Sequence, residues 1–396
     1  MSSNLTPSAN HNEGFMEIKH YDFIDALRGY AILAVMAVHA SQAAPEVIGV
    51  GRLLVDQGAR GVQLFFVASA LTLVLSWNQR KDGLLPFYLR RLFRIAPMFW
   101  LGILFFVWLD GFGPRYFAPN GIDGGSVLLT ALFLHGWLPE TINSVVPGGW
   151  SIAVEMTFYL VFPLLMLLVR GWPSAFVFFF SSVFISKHIF DYFWNHKAVY
   201  WTNVSDDLVS TFLNFWFPTQ LPVFAVGFLL FFFIRDCRGF ISKPWLNILL
   251  FVSVLCMVAL ALKPGLAGKF RLNIYTAYGV CFGVFAFCLA DGAAKWLVNA
   301  PIRYLGKISF SAYLIQFAVL GTVGQFALIG INPLNLMASE RGALFFFQFL
   351  VYLILVTVIL STLTYKFVER PMIKVGNKII GYISTLKSKR EVLASQ

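Results

Sequence analysis

Charge is what this 396-residue chain has least of: Asp, Glu, Lys and Arg make up only 12% of it, against about a quarter in ordinary soluble domains. With 58% hydrophobic residues, that scarcity excludes a soluble globular protein and points to an integral membrane one. Long polar stretches are equally scarce, which leaves no room for an added soluble domain. The weak alternation of an outer-membrane barrel is missing too, because apolar runs of helix-spanning length recur from Tyr21 to Phe367. Cysteine is sparse. Cys237, Cys256, Cys281 and Cys288 lie in or beside apolar runs without metal-site spacing, so no metal is expected and the four read as free, buried thiols. No internal repeat is visible, which weighs against transporters built from inverted halves. Residues 1–20 lack the apolar core and small-residue cleavage site of a signal peptide. They read as a short polar tail, leaving the first span to direct insertion.

The charge that is present has a sign. A net charge of +11 in a soluble protein would suggest nucleic acid, but here membrane topology accounts for it, and no nucleic-acid partner is expected. The fold class that follows is all-α, a polytopic bundle of about ten transmembrane helices. Candidate spans are 22–44, 62–77, 93–109, 150–169, 175–190, 215–234, 245–262, 274–290, 308–329 and 344–367. The apolar stretch 126–137 falls below the ~17 residues of a spanning helix and reads as re-entrant or as a short buried helix. That choice places both termini on the cytoplasmic side of the membrane, expected to be a bacterial inner membrane. Arg80, Lys81, Arg90, Arg91, Arg94, Arg235, Arg238, Lys243, Lys295, Arg303, Lys307 and the run from Lys374 to Arg390 then lie inside. It also forces Lys263, Lys269 and Arg271 outside. Proline and glycine at Pro147-Gly148-Gly149, Pro163, Pro218 and Pro222 mark spans that line a cavity.

Three polar constellations stand out. Asp25 and Arg28 are three residues apart on the first span, close enough to pair, and His39 follows deeper on the same helical face, roughly 16 Å from Arg28. His39 suits a general base; the alternative is a snorkelling Arg28 and a His39 that only bonds another helix. Arg90, Arg91 and Arg94 place planar donor forks at one membrane face, fitted to phosphates of a nucleotide-bearing cosubstrate or, alternatively, to topology and lipid headgroups. Glu155 lies about one and a half turns into its span, after Trp150, with Tyr159 one turn further on. A carboxylate there is paired or protonated, and it serves either a reaction or a structural hydrogen bond. His135 reads as packed, and His188, Asp191, His196, Asp206 and Asp207 as parts of an external loop.

In this order the motifs resemble the membrane-bound acyltransferase 3 family of sugar and glycan O-acyltransferases. The resemblance rests on Phe23-Ile-Asp25-Ala-Leu-Arg28-Gly29 through His39, Phe65-Phe-Val-Ala-Ser69, Arg91-Leu-Phe-Arg94-Ile-Ala-Pro97 and Trp150-Ser151 through Tyr159. Tyr304 through Leu314 and Tyr365-Lys-Phe-Val-Glu369-Arg370-Pro371 agree with it. It implies an acyltransferase domain over 21–371, followed by a basic cytoplasmic tail over 372–396. It also implies acyl-coenzyme A, acetyl most simply, as cosubstrate, and a glycan or lipid-linked sugar as acceptor. Membrane lipids complete the partners, and a homo-oligomer is left open. Under the resemblance Arg90, Arg91 and Arg94 hold the donor, His39 is the base, Glu155 orients His39 or the acceptor, and Arg28 guides the donor or stabilises thioester charge. Asp25, Ser69, Trp150 and Tyr159 support them. Two positions depart from the family pattern: Ala70 follows Ser69 in place of Gly, and Gln316 stands where many members have His. Neither is expected to touch the proposed centre. Succinyl or another acyl group, a non-glycan acceptor, and a transporter using Arg28, His39 and Glu155 as a relay are the competing readings.

Overall fold

The computed structural model describes residues 21–43, 49–80, 83–328 and 342–394, so the N-terminal tail and Lys81 lie outside the described residues. In chain order the helices are α1 (Asp22–Ala43), α2 (Gly49–Asp56), α3 (Gly61–Gln79), α4 (Leu84–Asp110), α5 (Gly124–Ala131) and α6 (Gly149–Leu168). They continue as α7 (Trp172–Asn195), α8 (Lys197–Tyr200), α9 (Asp206–Phe215), α10 (Phe217–Cys237), α11 (Lys243–Leu262) and α12 (Leu266–Lys269). The last are α13 (Ile274–Ala290), α14 (Ala300–Lys307), α15 (Ser309–Leu328), α16 (Gly342–Thr364) and α17 (Arg370–Ala394). No strand occurs among the described residues. The chain is an all-α, multi-pass bundle. Among the described residues, eight helical stretches are long and apolar enough to cross a membrane, and α14 with α15, bent by 77° at their junction, makes a ninth if the bent pair is one span. α13, with 17 residues, is a shorter apolar helix of about 26 Å.

Local chemistry sets many of the boundaries. Asp123, Ser205, Asn273 and Asn299 cap α5, α9, α13 and α14 through their side chains, satisfying N–H groups that the first turn leaves open. Proline occupies the first turn of α7, α10, α11 and α14, where its missing N–H costs nothing. The 8-residue α5 is only about 12 Å long, far short of a bilayer core, so the 126–137 stretch does not cross.

α1 is the central post. It packs against α14 so closely that a Cβ on Gly29 would stand 2.2 Å from the Ile302 carbonyl oxygen, and one on Gly306 would stand 1.8 Å from that of Asp25. Only glycine permits that approach. On its other side Gly61 meets the Ala31 carbonyl oxygen in the same manner, which seats α3. An ion pair from Arg303 to Asp22 closes the α1–α14 contact. It fixes one end of the bundle, here the basic end, on which Arg80, Arg90 and Lys307 also lie.

Two sequence expectations are corrected. The 188–207 stretch is mostly helix: α7 runs to Asn195 and α9 begins at Asp206, because the Phe- and Trp-rich run after His188 continues the apolar pattern. The basic stretch that follows belongs to α17, which a π turn at Tyr365–Glu369 joins to α16 while absorbing the missing N–H of Pro371. All four cysteines are free, yet Cys288 alone is buried and Cys256 is exposed. Cys256 sits on α11, a peripheral helix whose outer face is covered by no neighbour among the described residues.

Candidate active site

Two joined cavities enter the bundle from the basic end. The outer one, a vestibule of about 750 Å³, is lined by Asp22, Asp25, Arg28, Thr72, Arg80, Arg90, Arg91, Arg94, Arg303, Lys307 and Glu369, among others. Cations outnumber carboxylates there, so the vestibule favours an anionic ligand. Its inner wall is shared, through Arg28, Thr72, Arg91 and Arg94, with a second cavity of about 70 Å³. That inner space is bounded by Phe65, Phe66, Ser69, Ser151, Glu155, Tyr159, Phe310 and Tyr313.

α1 and α4 supply the arginines. Arg28 Nη2 donates to Thr72 Oγ1 at 3.0 Å, and its Nη1 lies 3.7 Å from Asp25 Oδ1, so one cation is held between its own helix and α3. Arg91 and Arg94 are arranged differently. Neither has a carboxylate within 4.0 Å among the described residues, although both line the two cavities. The Arg91 guanidinium lies 5.7 Å from the ring centroids of both Phe87 and Tyr159, and its Nε is buried without a hydrogen-bond partner. With no carboxylate within 4.0 Å among the described residues, these two cations keep their forks open to an anion, although Glu155 and Glu369 line the same cavities.

α6 supplies the carboxylate. Ser69 Oγ donates to Glu155 Oε1 at 2.6 Å, and the Tyr159 hydroxyl, one turn along α6, donates to the same oxygen. Glu155 Oε2 has no hydrogen-bond partner among the described residues and is the oxygen left for a ligand. Glu155 shares the inner cavity with Arg91 and Arg94 and makes no hydrogen bond to His39. The reason is tertiary: α6 brings its second turn to α3 and α4, which turns Glu155 toward Ser69.

His39 lies farther along α1 and lines neither cavity. Its Nδ1 is 3.4 Å from Gln316 Oε1, and its ring lies against Phe317 with centroids 4.5 Å apart. Gln316, expected to sit away from the centre, therefore touches it, because α15 folds back over the far half of α1. Tyr313 stands between His39 and the inner cavity. Its ring contacts Phe317 and Phe65 at 5.8 and 6.3 Å, while its hydroxyl donates to the Gly148 carbonyl and receives the Ser151 hydroxyl. Gly148, at φ +75°, takes a left-handed conformation in which a side chain would run into Tyr313 and Phe317.

The remaining expected residues have structural surroundings. Trp150 is buried with its ring stacked on Phe215 at 4.2 Å. Ala70 is buried on α3 against Gly227. Buried His135 places Nε2 3.0 Å from the Gly149 carbonyl oxygen and stacks on Phe99, fixing the start of α6. Sequence reasoning gave no site role to Thr72, Arg80, Arg303, Lys307, Tyr313, Gln316 or Glu369. The signal available for most of them was their presence in, or just beside, the Tyr304–Leu314 and Tyr365–Pro371 motifs. Glu369, buried in the π turn, accepts from Ser311 at 2.9 Å.

The bundle is thus a multi-pass membrane protein whose arginine-lined vestibule leads to a hydroxyl-bound carboxylate. Residues 21–366 match the family described as acyltransferase domain, and the chain belongs to the membrane acyltransferase 3 family. Over 163 residues it is 33% identical to acyltransferase MdmB of Streptomyces mycarofaciens, covering 38% of this chain and 40% of that one. A putative O-acetyltransferase of Staphylococcus aureus strain COL is 23% identical over 94% of this chain and 61% of its own. O-acetyltransferase OatA of Staphylococcus aureus strain MRSA252 is 24% identical over 92% of this chain and 59% of its own. The chain thus spans at most about three-fifths of the length of these relatives. No solved structure matches it.

Proposed function

We propose that this chain is a membrane O-acyltransferase that moves an acyl group, acetyl most simply, from cytoplasmic acyl-coenzyme A to a hydroxyl of a surface or secreted glycan. The observation that carries the reading is the pair Arg91 and Arg94, which face the joined cavities without a carboxylate within 4.0 Å among the described residues. The positive-inside rule turns this basic end to the cytoplasm, with both termini, where acyl-coenzyme A is found. Arg90, Arg91 and Arg94 hold the donor's phosphates, aided by Arg80, Arg303 and Lys307 at the vestibule wall. The pantetheine arm then runs inward past Arg28, whose guanidinium guides the anionic donor into the bundle.

His39 is the base. It lies about 16 Å beyond Arg28 along α1, on the order of an extended pantetheine arm. It takes the proton of the acceptor hydroxyl as that oxygen attacks the thioester carbon. Glu155, held by Ser69 and Tyr159 through one oxygen, offers the other to an N–H or O–H of a group in the inner cavity. The naming of the staphylococcal relatives as O-acetyltransferases favours acetyl over succinyl.

The test is transfer from labelled acetyl-coenzyme A by the purified chain and by His39→Ala and Glu155→Ala variants that still insert. Loss of label transfer in both variants, with the parent active, is the expected result. Full transfer by either variant removes that residue from the mechanism, and label moved without covalent attachment to an acceptor identifies a transporter instead.

A further inference from the structure

We propose that Gln316 is a positioning residue that holds His39 in the Nδ1–H tautomer, leaving the Nε2 lone pair as the reactive one. The inference deepens the proposed function, resting on its reading of His39 as the base. Gln316 is fully buried in α15. Its Nε2 donates to the Tyr313 carbonyl oxygen at 3.2 Å, which fixes the sense of the amide and turns Oε1 toward α1. That oxygen lies 3.4 Å from His39 Nδ1. A carbonyl oxygen only accepts, so Nδ1 carries the proton and Nε2 does not. Phe317, on the same helix, lies tilted by 55° against the imidazole and restricts its rotation.

The partner is neutral, and that matters in a membrane span. No carboxylate lies within 4.0 Å of His39 among the described residues. A carboxylate would add a buried charge that needs its own compensation, whereas an amide orders the ring without one. The 3.4 Å separation is at the long end for a hydrogen bond, as expected before substrate tightens a catalytic contact. In the step itself, Nε2 accepts the hydroxyl proton while the hydroxyl oxygen bonds to the thioester carbon. The C–S bond then breaks, and the departing thiolate takes the proton from Nε2. The Nδ1–H bond to Gln316 is retained throughout, so the ring returns to its starting tautomer.

The experiment reads the tautomer directly. The purified full chain is labelled with ¹⁵N-histidine, and the His39 resonances are assigned by difference against His39→Asn. The parent is expected to show the Nδ1–H form. Gln316→Leu is expected to shift the tautomer ratio about three- to tenfold toward Nε2–H, the population ratio commanded by a net hydrogen bond of this kind. Gln316→Glu, which keeps an acceptor oxygen within reach, is expected to restore the parent signature. In transfer assays kcat of Gln316→Leu falls by the same factor, with KM for acetyl-coenzyme A unchanged. Where Gln316→Leu fails to fold, Gln316→Met supplies the same measurement. An unchanged tautomer in the apolar variant overturns the proposal even if transfer has been lost. A shifted tautomer in a chain whose parent transfers no acyl group upholds the role of Gln316 and refutes the acyl-transfer reading.

Discussion

Replacing Arg91 by methionine separates ligand binding from folding. The Arg91 Nε is buried without a hydrogen-bond partner, and the guanidinium has no carboxylate within 4.0 Å among the described residues, only the rings of Phe87 and Tyr159 at 5.7 Å. Methionine keeps the aliphatic length and loses the charge. The fold gives up ring contacts worth about 0.5–1 kcal/mol and regains a similar amount by releasing a poorly solvated cation, so the ligand-free protein should change by less than about 1 kcal/mol. Ligand binding should change far more. Coenzyme A at a hundred times its Kd stabilises the parent by about 2.7 kcal/mol, or roughly 3–5 °C for a chain of this size. Removing a charge-assisted phosphate contact of about 2 kcal/mol raises Kd about thirtyfold. The same ligand concentration is then only about three times Kd, and stabilisation drops to about 0.8 kcal/mol, or about 1 °C. Thermal unfolding in detergent with and without coenzyme A measures both quantities. A ligand-free variant that melts far below the parent, or a full coenzyme A shift in the variant, would refute the assignment of Arg91 to the donor site.

Two further outcomes follow from the packing. Gly306→Ala puts a Cβ 1.8 Å from the Asp25 carbonyl oxygen, which forces α14 off α1 and is expected to cost about 1–3 kcal/mol. Because Arg303 and Lys307 move with α14, KM for acetyl-coenzyme A should rise as well, and a parent-like melting curve with parent-like KM would show the crossing to be loose. Ser69→Ala removes the 2.6 Å donor to Glu155 and is expected to lower stability by about 1–3 kcal/mol. Tyr159→Phe should do the same through the same oxygen, and full stability in both variants would mean that neither hydroxyl supports the carboxylate.

Much of this protein was legible in its sequence because a bilayer imposes length and polarity on every span. Runs such as 93–109 and 245–262 have to be helices, since no other single-span structure satisfies the backbone in hydrocarbon. The 126–137 stretch was too short to cross for the same reason. Arg28, His39, Arg91, Arg94 and Glu155 stood out because ionisable groups in such runs are costly and need a purpose.

Which of those groups meet was decided by the tertiary structure alone. Periodicity places Glu155 on a face of α6, but only the crossing of α6 with α3 and α4 turns that face to Ser69 and the arginines instead of to His39. Gln316 looked peripheral because its partner is 277 positions away, and nothing local records that α15 returns to α1. Glycine is the partial exception. Gly29 and Gly306 were visible within their motifs, yet their meaning, a helix crossing too close for any Cβ, exists only once both helices are in place. The sequence determined which residues carry the charge and which segments span, because those depend on transfer from water to lipid. The pairing of those charges depends on contacts between helices far apart in the chain, and only the packed bundle decides it.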